Sequence, residues 1–230
     1  MKSLLEKIIS KKNKSTFKFD HQILFSDIFI LTLNNIRRYI RGKSIIGLRK
    51  NKLMFLDRGC RFLFRRNISI EKNVRIGQYC TLSGLGDKGI TLKNNVSIGA
   101  FSNIITSMTL NKIGHSISIG ENVGIGEYSY IGGAGPVSIG KDTITGQYLS
   151  IHPENHNFED INVPIRHQGV SRVGVLIGKN VWIGSKVTIL DGVKIGDGSI
   201  VAAGSVVTAG EYKKNSIIAG NPAKLISIRS

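Results

Sequence analysis

The chain has no long hydrophobic run, only two cysteines, four prolines and a single tryptophan among 230 residues. The first two scarcities each exclude something. Cys60 and Cys80 are too few for a disulfide framework; they read as two buried or half-buried thiols of a protein kept in a reducing compartment. The opening stretch, MKSLLEKIISKKNK, carries no continuous apolar region, so no signal peptide is expected. Residues 22–41, QILFSDIFILTLNNIRRYIR, are apolar, yet too short and interrupted by Asp27 for a membrane span. Acidic residues are scarce as well: 15 Asp and Glu stand against 32 Lys and Arg, a net charge of +17. The imbalance is local. Residues 1–67 hold 17 basic and 4 acidic residues, a balance of +13, whereas residues 68–230 hold 15 and 11, a balance of +4. Such a segment suits an anionic membrane surface, an acidic polymer or nucleic acid. No nucleic-acid-binding motif accompanies it, so no nucleic-acid partner is expected.

What the chain has in plenty is glycine, 27 residues, and a repeat that uses it. In residues 175–207, VLIGKNVWIGSKVTILDGVKIGDGSIVAAGSVV, an aliphatic side chain returns at every sixth position: Ile177, Ile183, Ile189, Ile195, Val201 and Val207. Glycine follows at Gly178, Gly184 and Gly196. A period of six is neither that of a helix nor that of a flat strand. It describes a unit that turns a corner every six residues and sends an apolar side chain inward each time, the mark of a parallel β-helix. Weaker runs lie upstream, at Ile70, Ile76 and Leu82, at Leu92, Ile98 and Ile104, and from Ile119 to Ile151. They are broken at 83–89, at about 105–112 and at 152–174.

Three segments follow: a basic, partly helical segment at 1–52, a β-helix at 53–208, and a tail at 209–230 that leaves the repeat and packs back along it. Residues 1–20 read as an arm or short helix. The helix at 22–41 either packs its apolar face on the solenoid end or a neighbouring subunit, or lies in a membrane interface with Arg37, Arg38, Arg41 and Lys43 facing anionic headgroups.

The break at 152–174, HPENHNFEDINVPIRHQGVSRVG, holds three of the five histidines. Long loops on rigid scaffolds carry function. His152, His156 and His167 invite a metal reading, but Pro153 argues against the helix that a four-residue ligand spacing needs, and no metal is expected. General-base catalysis needs one positioned imidazole. Glu159 and Asp160 read either as groups that orient it or as solvated loop carboxylates.

The segments NHNFED (155–160), NVWIGSKVTILDGVKIGDGSIVAAGSVVT (180–208) and AGNPAKLI (219–226) resemble the hexapeptide-repeat acyltransferases, and among them the polysaccharide and sugar O-acetyltransferases. The resemblance covers about residues 68–226. It implies a mainly β fold, a left-handed parallel β-helix, assembled as a homotrimer with sites between subunits. It implies a cytoplasmic acetyl-CoA-dependent O-acetyltransferase acting on a sugar hydroxyl in bacterial surface polysaccharide synthesis, with peripheral membrane contact through residues 1–45 left open. The general base of such enzymes lies sixteen residues beyond the glycine that opens its coil; from Gly140 that count reaches His156, with Asn155 before it, not His152. The resemblance gives Ser185 a backbone N–H for the oxyanion. It places Trp182, Ser185, Ala203, Thr208 and Lys224 along acetyl-CoA, and leaves His152, Tyr128 and Tyr130 to the carbohydrate acceptor. Two acceptor-side residues of the galactoside and maltose enzymes are absent: Ala134 stands for an Asp and Gly126 for an Asn. The alternatives are an amino-sugar N-acetyltransferase and a metal-binding or non-catalytic β-helix.

Overall fold

The computed structural model describes residues 2, 5–7, 10, 16–46 and 53–229. Most of the expected arm or short helix at 1–20 lies outside the described residues. From Met54 onward the chain winds through three sheets in turn. The first runs from Met54–Leu56 to Ser216–Gly220, the second from Arg61–Leu63 to Val206–Val207, and the third from Ile68–Ile70 to Gly210–Tyr212. Along these runs neighbouring strands are parallel and the inward residues face one another coil after coil, as in Ile151↔Ile189 and Ile189↔Val207. The expected left-handed parallel β-helix is the fold.

All six residues of the six-residue period are buried, and with them a second inward set two positions earlier, Val175, Val181, Val187, Val193, Ser199 and Ser205. Alternate side chains of an extended segment share a face, so the companion turns inward too, from within the strand at Val175 and Val193 and from the residue just before it at the other four. The buried serines sit beside corners and give their hydroxyls to corner carbonyls: Ser199 Oγ donates to Gly196 O at 2.8 Å and Ser205 Oγ to Ala202 O at 2.7 Å. Cys60 and Cys80 do the same with sulfur, donating to Gly77 O at 3.0 Å and Gly99 O at 3.1 Å. Both are free thiols.

Corners demand left-handed backbone. Non-glycine residues there cost about 1–2 kcal/mol each, and stacking between successive coils offsets the cost. At one corner Asn73, Asn95, Asn122 and Asp142, with φ from 58° to 61°, form a chain of side-chain hydrogen bonds of 2.7–2.8 Å. At another, Tyr79, Phe101, Tyr128 and Tyr148 stack ring on ring, with centroids 5.0–5.4 Å apart.

Two expected breaks differ. Residues 83–89 do not leave the coil altogether: Gly86–Leu92 is a strand that pairs with Gly114–Ile119, with an irregularity between Gly86 and Gly89. The expected tail at 209–230 divides. Gly210–Tyr212 and Ser216–Gly220 continue the coil in parallel register, and only Ala223–Ile228 turns back, antiparallel, on Ser216–Gly220.

The helix α1, Phe25–Ile46, covers the other end of the first sheet. Its contact face is not its apolar one. A Cβ on Gly42 would lie 2.2 Å from Met54 O, so glycine is what lets helix and strand approach. Arg38 bonds Asp57 at 2.6 Å, Arg41 stands 3.5 Å from the same carboxylate, and Tyr39 packs against Phe55. The expectation that Arg38 and Arg41 face headgroups is therefore corrected: both turn to the solenoid, drawn by the carboxylate of Asp57.

Candidate functional site

The second sheet delivers the chain to the long break. In Ser150–His152, Ile151 is buried while Ser150 and His152 point outward. Ser150 Oγ lies 2.7 Å from His152 Nε2, and the His152 ring stacks on Tyr130 at 5.4 Å. Burial lowers the pKa of His152, which favours neutral imidazole. Burial, helped by the negative charge of Glu154, raises that of Tyr130, which keeps its proton. The structure thus joins two of the expected acceptor residues, Tyr130 and His152. Tyr128 is apart from them, within the aromatic corner stack.

Beyond His152 the loop has a built neck. The Glu154 carboxylate accepts from Arg172 Nε at 2.5 Å, and Arg172 Nη1 donates to Ile113 O at 2.9 Å, tying the loop to the excursion upstream. Asn155–His156 pairs antiparallel with Val170–Ser171. At the return, the buried carboxylate of Asp191 accepts the backbone N–H groups of Val173 at 3.0 Å and Gly174 at 2.6 Å. The outer loop is folded around Gln168, whose amide nitrogen donates to Asp160 O and Val163 O at 2.8 and 2.6 Å and whose oxygen accepts from Asp160 N at 3.1 Å.

His156 is exposed on this small ladder, and its imidazole makes no hydrogen bond with another described residue. Glu159 and Asp160 do not orient it. Glu159 Oε2 accepts from Phe158 N and Asp160 Oδ1 from Asn162 N, so both carboxylates are spent on local backbone. Among the described residues no group of three or more His, Cys, Asp or Glu is placed to hold a metal ion.

The residues expected along acetyl-CoA lie elsewhere. Ser185 and Ala203 occupy one corner on consecutive coils, where Gly204 N donates to Ser185 O at 2.9 Å and Ser185 Oγ to Gln147 Oε1 at 3.0 Å. Trp182 is exposed on the first sheet between Ile144 and Ile200. Lys224 is exposed on the antiparallel strand opposite Ala219. Thr208 follows Val207 at the far end of the second sheet. The corner of Ser185 and the neck of the His156 loop therefore flank opposite edges of the second sheet, and one chain does not bring them together.

Sequence reasoning missed Ser150, Glu154, Arg172, Gln168 and Asp191. Asp191–Gly192 reads as a plain turn signal, and nothing in its spacing says that the carboxylate is buried. Gly126, where an acceptor-side Asn was expected, has a steric account: a Cβ there would stand 2.2 Å from Gly146 O.

Two repeat families match the sequence, the bacterial transferase hexapeptide (six repeats) over residues 174–209 and the hexapeptide repeat of succinyl-transferase over residues 67–100. No curated protein matches the chain. Among solved structures it is similar to AntD, an N-acyltransferase from Bacillus cereus in complex with dTDP and 3-hydroxybutyryl-CoA, at 22% identity and a TM-score of 0.52, over 83% of this chain and 88% of that one. It is also similar to the polySia-specific acetyltransferase NeuO, at 20% identity and a TM-score of 0.50, over 75% of this chain and 85% of the other. At these identities the likeness is one of fold. Repeats and coil together bear out the resemblance to the hexapeptide-repeat acyltransferases.

Proposed function

We propose that this hexapeptide-repeat coil is an acetyl-CoA-dependent O-acetyltransferase that modifies a sugar hydroxyl of a bacterial surface polysaccharide or its precursor. The observation that carries the reading is the placement of His156: an imidazole free of hydrogen bonds to the described residues, held on a paired strand at the neck of the long loop. AntD and NeuO, which share the fold, are an acyltransferase and an acetyltransferase by name.

His156 takes the proton of the acceptor hydroxyl as its oxygen attacks the thioester carbonyl. The tetrahedral oxyanion accepts a hydrogen bond from the backbone N–H of Ser185 and collapses, and the thiol of CoA leaves with the proton. Positioned general-base catalysis is worth roughly 10²–10⁴-fold, with further gain from holding the two substrates together and from the oxyanion donor. The residues present fit the co-substrate. Ala203 and Gly204 leave an open corner beside Ser185, since a Cβ on Gly204 would meet nothing within 4 Å. Trp182 offers an exposed apolar face, and Lys224 an exposed cation for a phosphate. Because the Ser185 corner and the His156 loop flank opposite edges of the sheet, the site is completed by a neighbouring copy, and the working unit is a homotrimer.

A second assignment of the base rests on His152, which has a hydroxyl partner in Ser150, an aromatic neighbour in Tyr130 and a pKa lowered by burial. AntD is an N-acyltransferase by name, which supports keeping the N-acetyl-transfer alternative in view. Turnover of acetyl-CoA against matched hydroxyl and amino acceptors separates the chemistries. His156→Ala and His152→Ala separate the bases: acetyl transfer that survives in folded His156→Ala and fails in His152→Ala moves the role to His152.

A further inference from the structure

The basic N-terminal segment and the exposed face of α1 belong together. At about 100° per residue, Phe25, Phe29, Leu33, Ile36 and Ile40 fall in one stripe. That stripe lies roughly 140° around the helix from the face of Asn35, Arg38, Tyr39, Gly42 and Ile45. The second face meets the strand Met54–Leu56, so the stripe points away from the solenoid. It is bare: Phe25 is 49% exposed, Phe29 59%, Ile36 50% and Ile40 62%. Contiguous apolar surface of this kind needs an occupant.

Charge selects it. Arg37 flanks the stripe, Lys43 lies at its C-terminal end, and both are exposed. Lys18, Arg58, Arg61, Arg65 and Arg66, also exposed, add to a segment whose balance is +13. A second copy of the chain seated on the stripe would set two such segments against each other. An anionic bilayer surface would instead cover the apolar stripe with acyl chains and meet the cations with headgroups. No described helix is long and apolar enough to cross a membrane, so a docked α1 would lie in the plane of the interface. We propose that α1 docks the protein on anionic lipid through this stripe, with Arg37 and Lys43 at headgroup level and with Arg38 and Arg41 excluded because they hold Asp57. The docking stands apart from the acetyl-transfer reading and is measured without an acetyl donor.

The test is co-sedimentation of the full chain with vesicles of phosphatidylcholine alone and of phosphatidylcholine with phosphatidylglycerol. Partition onto the mixed vesicles is expected to exceed that onto the neutral ones by about tenfold or more and to fall as salt is raised. The double variant Phe29→Glu/Ile36→Glu, changed only at exposed positions, is expected to lose about tenfold or more of that partition while its unfolding temperature and oligomeric mass stay unchanged. Absence of binding to anionic vesicles overturns the proposal, and so does undiminished binding by the variant. A smaller oligomeric mass for the variant also overturns it, since the stripe would then be an interface between copies.

Discussion

Glu154 and Arg172 close the neck of the loop with a hydrogen bond of 2.5 Å between Oε2 and Nε, eighteen residues apart in sequence. The same guanidinium reaches Ile113 O, so one side chain closes the base of the two-stranded ladder that carries His156 and ties it to the end of the upstream excursion. Hydrogen bonds to charged groups contribute about 1.5–3 kcal/mol when little exposed. Arg172→Ala is expected to loosen the loop, speed proteolytic cutting within 154–172 and lower acetyl transfer, with a smaller effect on global unfolding. Limited proteolysis and a kcat against KM comparison read both.

Asp191 holds the return of the loop by two backbone N–H groups. Asp191→Asn keeps one acceptor and turns a donor toward a site that already supplies donors. The expected loss is about 1–3 kcal/mol, measured as a shift of the urea midpoint at unchanged slope.

Burial of His152 makes stability depend on pH. Its pKa in the folded chain lies below the ordinary value of 6.5, so the unfolded chain takes up the proton first as pH falls. The stabilising contribution is fully present above that value, is lost as pH drops through the interval down to the folded pKa, and levels off below it. His152→Gln is expected to flatten this part of the stability curve. Titration of the ring proton by NMR should give a midpoint under 6.5 for His152.

Glycines of similar appearance differ in what they tolerate. Gly126→Ala places a methyl group 2.2 Å from Gly146 O, whereas Gly124→Ala finds its nearest atom, Ser97 Oγ, at 3.5 Å. The first is expected to cost about 3 kcal/mol or more, beyond ordinary overpacking, because backbone cannot yield as a side chain can. The second is expected to be nearly neutral. Thermal unfolding of the two variants side by side checks the contrast.

The period of six was enough to read the coil, because each turn buries an aliphatic side chain at the same phase, from Ile177 to Val207. The companion positions escaped notice because Val181 and Val187 share their row with Ser199 and Ser205, and hydroxyls that bond corner carbonyls carry no apolar signal. The helix and its packing on the end of the coil were legible, but not the face that makes the contact. Its docking depends on the missing Cβ of Gly42 and on the carboxylate of Asp57, neither of which a hydrophobic pattern records. In the candidate site, the loop was visible as a gap in the repeat. Its inner pairing of Asn155–His156 with Val170–Ser171 was not, since two residues on each side are too few to show alternation.

The unbroken register of the second sheet has one more consequence. In the second sheet the coil that opens at Arg61–Leu63, nearest to α1, stands four strands from Ser150–His152, where the loop departs. At about 4.8 Å per strand the loop stands roughly 19 Å from the coil that α1 covers. A coil touches only its neighbours, so one could be added or removed between them with little effect on either end. If α1 rests on a bilayer, the number of coils becomes a setting for height above it, adjustable in steps of one strand spacing without altering a single residue of loop or helix.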